Sequence, residues 1–234
     1  MSQDTPRNVQ HNNAQNAVLF EAINLAIHLD PDSKVVSNAS ILLGRFILAK
    51  ETNVRYLGLD AMAHLAACSN TLEPVKKHQE TIILSLKDRD ISVRRRALDL
   101  LYSMCDTSNS KVIVGELVKY LQSADYNLRE EMVLKIAILT ERFATEVCLL
   151  PLISRSSADW QYEWYVDTIL QLISAAGDHV GAEVWYRVVQ LVTNNEDLQP
   201  YAAGAVFRHL QSSACHENMI KVGGELYNLV MRGC

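Results

Sequence analysis

An apolar residue followed by arginine recurs at one phase along the chain: Val54-Arg55, Val93-Arg94 and Leu128-Arg129, separated by 39 and then 35 residues. Each pair follows a polar or acidic turn and opens an amphipathic run, as in "ETNVRYLGLDAMAHLA", "RDISVRRRALDLLYSM" and "SADYNLREEMVLKIAIL". Self-similarity at about 40 residues belongs to paired-helix solenoids of the HEAT and armadillo kind. No other feature constrains the fold as strongly, because a two-helix unit cannot bury its apolar face alone and has to stack on its neighbours.

The stretches between the marked runs read as helices too. "SKVVSNASILLGRFILAK", "LEPVKKHQETIILSLKD" and "SNSKVIVGELVKYLQSA" carry apolar residues three and four apart, and short polar turns such as Lys87-Asp88-Arg89-Asp90 join them to the next run. The expected fold is all-α: an α-solenoid of HEAT/armadillo-like antiparallel helix pairs, with residues 1–234 as one domain. The register slips after residue 147. Asp90 and Asp125 stand 35 residues apart, but the next comparable turn, at Asp178, comes 53 residues later. The excess is assigned to "CLLPLISRSSADWQYE", residues 148–163, which holds a proline and several serines and is expected to be an inserted loop. Residues 1–15 and 225–234 are expected to be poorly ordered or atypical ends.

Three consecutive arginines, Arg94-Arg95-Arg96, raise the possibility of a phosphate site. On a helix, however, Val93, Ala97, Leu100, Leu101 and Met104 share one stripe, while Arg95 points about 200° away from Val93 and Arg94 and Arg96 flank the stripe on opposite sides. Neighbouring arginines so disposed cannot grip one phosphate together. Arg94 is read instead as a rung between repeats, and Arg55, Arg94 and Arg129 with the turn residues Asp90 and Asp125 form the expected structural ladder. Arg95 and Arg96 are read as solvated, with Arg95 and Asp99 spaced for a weak surface ion pair.

Composition narrows the function. A net charge of -5 argues against a dedicated nucleic-acid binder. No apolar run approaches the roughly 18 to 20 residues that cross a bilayer, and the polar start "MSQDTPRNVQHNNAQN" has no signal-peptide core, so a cytoplasmic protein is expected. Cys68, Cys105, Cys148, Cys215 and Cys234 are odd in number and lack C-x-x-C spacing, which reads as buried reduced thiols. His64, His78, His179 and His209 are isolated, and the adjacent Cys215-His216 does not suit one zinc. There is no phosphate-loop or dinucleotide fingerprint. Lys76-Lys77-His78 is read as a solvated helix start, and Trp164, Tyr165, Trp185 and Tyr186 as core between repeats. No catalytic residue, cofactor site or metal site is assigned.

The phrases "NAVLFEAINLAIHLD", "ETNVRYLGLDAMAHLA", "SVRRRALDLLYSMCD", "ADYNLREEMVLKIAILTERFA", "WYVDTILQLISAAGD", "EVWYRVVQLVTNNEDLQPYAA" and "CHENMIKVGG", in this order, resemble the trunk of the adaptins. "ADYNLREE" and "EVWYRVVQ" side with the α-adaptins, large chains of the plasma-membrane clathrin adaptor, over the γ chains of the Golgi and endosomal adaptor. The likeness covers residues 7–147 and 164–224. It implies a non-enzymatic scaffold for endocytosis and vesicle-mediated transport, peripheral at the plasma membrane in clathrin-coated pits. The implied partners are the β large chain and the medium and small chains; clathrin and phosphoinositide membrane are reached indirectly through the full complex.

The likeness also implies that the chain begins mid-solenoid, without the repeats that carry the family's basic phosphoinositide patch. Residues 148–163 have no counterpart, and the sequence leaves the family pattern after Gly224. A partial chain, an alternative transcript and a gene-model artefact would each account for these departures. No phosphoinositide or cargo residue is carried over. The first helix, with Val18, Leu19, Ile23, Leu25 and Ile27, is expected to expose an apolar end. A nuclear-transport or phosphatase-type HEAT scaffold is the competing reading, disfavoured by the uneven spacing; a cysteine-dependent enzyme would require a low-pKa thiol.

Overall fold

The computed structural model describes residues 6–30, 33–70, 72–148, 155–211 and 215–232. Among the described residues there are twelve α-helices and no strand. They are α1 (Pro6–Leu29), α2 (Lys34–Ile47), α3 (Thr52–Cys68), α4 (Glu73–Lys76), α5 (Gln79–Ser85), α6 (Ile91–Ser103), α7 (Ser110–Leu121), α8 (Tyr126–Cys148), α9 (Arg155–Ala176), α10 (Ala182–Thr193), α11 (Gln199–Leu210) and α12 (Glu217–Arg232). One-turn 3-10 segments, Gly177–His179 and Glu196–Leu198, precede α10 and α11. The chain folds into two compact packing units, Met1–Cys105 and Asp106–Cys234.

The first unit is organised around α3, which lies against α1, α2 and α6. Its buried residues Val54, Gly58, Leu59, Ala61, Met62, Leu65 and Ala66 occupy more than one side of the helix, as a central helix requires. Gly58 permits the closest approach. A Cβ there would stand 3.1 Å from the main-chain nitrogen of Ile47 and 3.3 Å from the carbonyl carbon of Phe46, so α3 crosses the end of α2 almost backbone to backbone. Helix α2 starts at Ser33, whose hydroxyl accepts from the Val36 N–H at 3.3 Å, and it buries Val36, Ser40, Leu43, Gly44 and Ile47 along one face. Helix α6 starts at Asp90, which accepts from Ser92 and Val93 N–H, and the stripe expected of it is the buried one: Val93, Ala97, Leu100, Leu101 and Met104 are all fully covered. Removing one of these leucine side chains to alanine costs on the order of 2 to 5 kcal/mol by the usual transfer and cavity terms.

The run Leu72–Asp88 reads as one helix in sequence, but it is divided at Lys77-His78 into α4 and α5. At the break the His78 ring fills the space over Gly44, where a Cβ would come within 2.4 Å of it. Lys76 ends α4, and Lys77-His78 form the turn before the longer helix.

The second unit is organised around α9, which packs on α7, α8, α10, α11 and α12. Its residues Val166, Ile169, Leu170, Leu172 and Ile173 are fully buried. Arg155–Glu163, expected as part of an inserted loop, form the first turns of this helix; residues 149–154 of that segment lie outside the described residues. Serines and aspartates mark helix starts as readily as loops, and composition alone took the wrong branch. The segments expected to be atypical ends are likewise helical where they are described, residues 6–15 in α1 and residues 225–232 in α12; residues 1–5, 233 and 234 lie outside the described set.

Of the aromatics assigned to the core, Tyr165 is buried, but Tyr186 is 49 % exposed beside Trp185. The thiols are also mixed. Cys105 is buried and Cys68 is exposed at the end of α3; Cys148 and Cys234 lie outside the described side chains.

Helix α1 has two apolar faces. Phe20, Ile23 and Ile27 are buried in the first unit, whereas Val18, Leu25 and Leu29 are 69 %, 61 % and 77 % exposed on the opposite side. Their spacing of seven and four residues makes a continuous stripe. Replacing Val18, Leu25 and Leu29 together with serine is expected to leave the melting midpoint nearly unchanged and to reduce self-association in sedimentation velocity. A parent chain that is already monomeric at all concentrations would contradict this.

Candidate functional site

The side chains that carry the repeat signature sit at turns between helices. A helix ends with carbonyls that it cannot satisfy itself, and two of the recurring arginines, Arg55 and Arg129, answer that need. Arg55 donates from Nη1 to the carbonyls of Ala49 (3.1 Å) and Lys50 (2.7 Å), closing the turn between α2 and α3. The same guanidinium forks onto Asp88, with Nε to Oδ2 at 2.7 Å and Nη2 to Oδ1 at 3.0 Å, so it also reaches the turn between α5 and α6. Asp88 accepts in addition from the Asp90 N–H at 2.9 Å. Arg55 thus ties two successive turns of the first unit together with the paired geometry that only a guanidinium offers.

Arg129 acts on its own turn in the second unit, donating from Nε to the Ala124 carbonyl at 2.9 Å and from Nη2 to Gln122 at 3.4 Å. Arg94 is half-buried at the start of α6, with its N–H on the Asp90 carbonyl at 3.1 Å. Asp90 caps α6, and the Asp125 carbonyl accepts from the N–H groups of Leu128 and Arg129. Arg96, read from the sequence as solvated, is an inter-helix contact: its Nη2 pairs with Asp60 of α3 and its Nη1 lies 3.9 Å from Asp99.

Sequence reading did not single out Asp88, and periodicity had no means of doing so. It lies six residues before Arg94, but the equivalent positions are Ala49 before Arg55 and Ser123 before Arg129. An acceptor that occurs once leaves no trace in a repeat.

Six of the seven histidines contact other groups of the chain. His78 is lowered from its ordinary pKa by burial and by neighbouring Lys77, against a main-chain contact with Ser40 that raises it. His209 Nδ1 lies 3.0 Å from the Ser174 hydroxyl, and burial lowers its pKa. His179 meets Tyr126 edge-on at 4.8 Å, and His64 meets His28 at 6.2 Å. His216 lies 3.0 Å from Asp178 and accepts the Asn218 N–H at Nδ1, while the Asn218 amide donates to the carbonyls of Gly177 and Val180. The Cys215 thiol donates to the His216 carbonyl, not to an imidazole. Tyr201 donates to Asp167 at 2.7 Å; burial first, then this carboxylate, pushes its pKa up to about 12. Among the described residues no group of three His, Cys, Asp or Glu is placed to hold a metal ion, and no helix is long and apolar enough to cross a membrane.

Paired helices with their turns pinned by arginine and carboxylate side chains define the class: an all-α repeat protein. The chain belongs to the adaptin N-terminal-region family, whose model matches residues 3–224, and it has that family's all-α solenoid fold. It is 58 % identical over 217 residues to AP-2 complex subunit alpha-2 of Dictyostelium discoideum, a match covering 92 % of this chain and 20 % of that protein. It is 50 % identical over 240 residues to AP-2 complex subunit alpha-1 of Arabidopsis thaliana, covering 100 % of this chain and 22 % of the relative. Against AP-1 complex subunit gamma of Dictyostelium discoideum the identity is 31 % over 211 residues, covering 90 % and 22 %. The sequence therefore sides with the alpha chains over that gamma chain. The chain spans about a fifth of the length of these relatives.

Asp88 supplies a pH prediction. Burial raises its pKa, but the Arg55 hydrogen bond, the Asp90 and Arg89 N–H groups and the Arg55 charge together outweigh burial and hold it below the ordinary 3.8. A carboxyl lowered in the folded state adds stability above its unfolded pKa and loses it as pH falls through the folded value. Asp88→Asn is expected to cost about 1 to 3 kcal/mol at pH 7, since Arg55 and Asp88 are only 17 % and 12 % exposed. It is also expected to flatten the decline of the urea midpoint below about pH 4. An unchanged acid slope would show that the pair contributes no linkage.

Proposed function

We propose that this chain is a non-enzymatic scaffold subunit of a clathrin adaptor, acting in endocytosis and vesicle-mediated protein transport. The observation that carries the reading is the match of residues 3–224 to the adaptin N-terminal region together with 58 % identity to an AP-2 alpha chain. In this reading residues 1–234 form one solenoid domain of the trunk. Its helix faces hold the β large chain and the medium and small chains, and clathrin and phosphoinositide membrane are engaged through the assembled complex. The site of action is the cytoplasmic side of the plasma membrane, in coated pits. Arg55, Arg94 and Arg129, with Asp90 and Asp125, keep successive turns in register. Support for that role comes from Arg55 and Arg129, each of which closes the turn before its own helix, and from Asp90, which caps the helix that follows it.

Helices in such a scaffold present side chains to partners without changing them chemically. Exposed apolar residues on several helices, among them Val35 and Ile41 on α2, Leu134 on α8 and Phe207 on α11, are compatible with faces meant to be covered. Co-expression of the tagged chain with the β, medium and small adaptor chains tests the proposal. Co-purification of at least the β and small chains through size exclusion is the expected result. Recovery of the chain alone would overturn the assignment as a subunit.

A further inference from the structure

Helix α9 lies between α8 and α10, and above it the two flanking helices leave a groove. Its deeper part, about 160 Å³, is lined by Leu134, Ala137 and Ile138 of α8 and Val184 of α10. Tyr165 of α9, only 4 % exposed, closes the floor. A second hollow of about 200 Å³ continues from it past the same tyrosine toward Tyr162, Gln190 and Asn194. The ion pair of Glu141 with Arg187 is shared by both.

The exposed face of α8 that borders this groove is apolar where a solvated helix would be polar. Leu134 is 54 % and Ile138 40 % exposed, one turn apart. The charges around them are unbalanced. Glu130 stands exposed one turn before Leu134, Glu183 stands exposed on the α10 side, and Arg187 is already matched by Glu141. Arg142 stands exposed one turn beyond Ile138, so the acidic edge of the apolar part is the one on the side of Glu130 and Glu183.

We propose that the groove between α8 and α10 is a docking site for a short amphipathic helix of a protein partner that carries lysine or arginine beside its apolar face. Residues at i, i+4 and i+7 of such a helix would set apolar anchors against Leu134, Ile138 and Val184. From Leu134 to Thr145, the last groove residue on α8, the chain rises about 16 Å, which matches about three turns of a bound helix. The carboxylates of Glu130 and Glu183 select a basic partner and repel an anionic bilayer. They also disfavour a second copy of the chain, because the exposed apolar stripe of α1 is itself bordered by the exposed Glu21.

The test uses the whole chain and a fluorescein-labelled peptide of about 14 residues with leucines at helical i, i+4, i+7 and i+11 and lysines beside them, plus a twin with glutamate at the lysine positions. Fluorescence anisotropy is expected to show saturable binding of the lysine peptide, weakened about tenfold by Leu134→Ser with Ile138→Ser. Val112→Ser, an exposed position on α7, should leave it unchanged. Glu130→Lys with Glu183→Lys should weaken binding several-fold and reduce its salt dependence. If the serine variant does not reproduce the parent circular-dichroism melt, the charge variant decides. Equal binding of the two peptides, no saturable binding, or indifference to the decisive variant would overturn the proposal. So would concentration-dependent self-association that the serine variant abolishes, since the groove would then hold a second copy.

Discussion

A turn between two packed helices has to dispose of main-chain groups that neither helix can satisfy, and this need shapes the molecule at each junction. Arg55 answers the carbonyls of Ala49 and Lys50, Arg129 those of Ala124 and Gln122, and the Asn218 amide those of Gly177 and Val180. Carboxylates and amides treat the N–H groups: Asp90 caps α6, and Asp106 with Asn109 folds the turn before α7. Helices held this tightly at their ends present their faces at set angles, which stacking requires. Arg55 goes further than the others because its fork also takes Asp88 from the next turn.

Within each unit the packing converges on one helix. Helix α3 in the first unit and α9 in the second are buried on more than one side and touch most of their neighbours. The flanking helices are buried on one face and open on the other, which leaves apolar positions such as Val18, Leu25 and Leu134 exposed. The same geometry that builds the core therefore supplies the surfaces.

Much of this could be read in advance. The apolar-arginine phase marked α3, α6 and α8, and the stripe from Val93 to Met104 was placed correctly residue by residue, because burial on one helix face imprints a 3.6-residue period. The seat of the His78 ring at the Lys77-His78 break was not legible, since Gly44, which it covers, belongs to another helix. Nor was the Arg96–Asp60 pair: at this position angular reading places a side chain beside the apolar stripe but does not say which helix stands opposite. Residues 155–163 were misread as loop because serine and aspartate serve both helix starts and loops, and only the packing of α9 chooses between them.

What the sequence determined by itself is the local grammar: helix after helix, polar turns, an arginine at the head of three of the runs, and the family to which such phrases belong. These are short-range matters, decided by hydrogen-bond satisfaction and periodic burial within some twenty residues. What only the tertiary structure decided is pairing across distance: Arg55 with Asp88, Arg96 with Asp60, Tyr201 with Asp167, and the groove over Tyr165. Such pairs join residues more than thirty positions apart, each occurs once, and nothing along a single chain marks a contact until the helices are stacked.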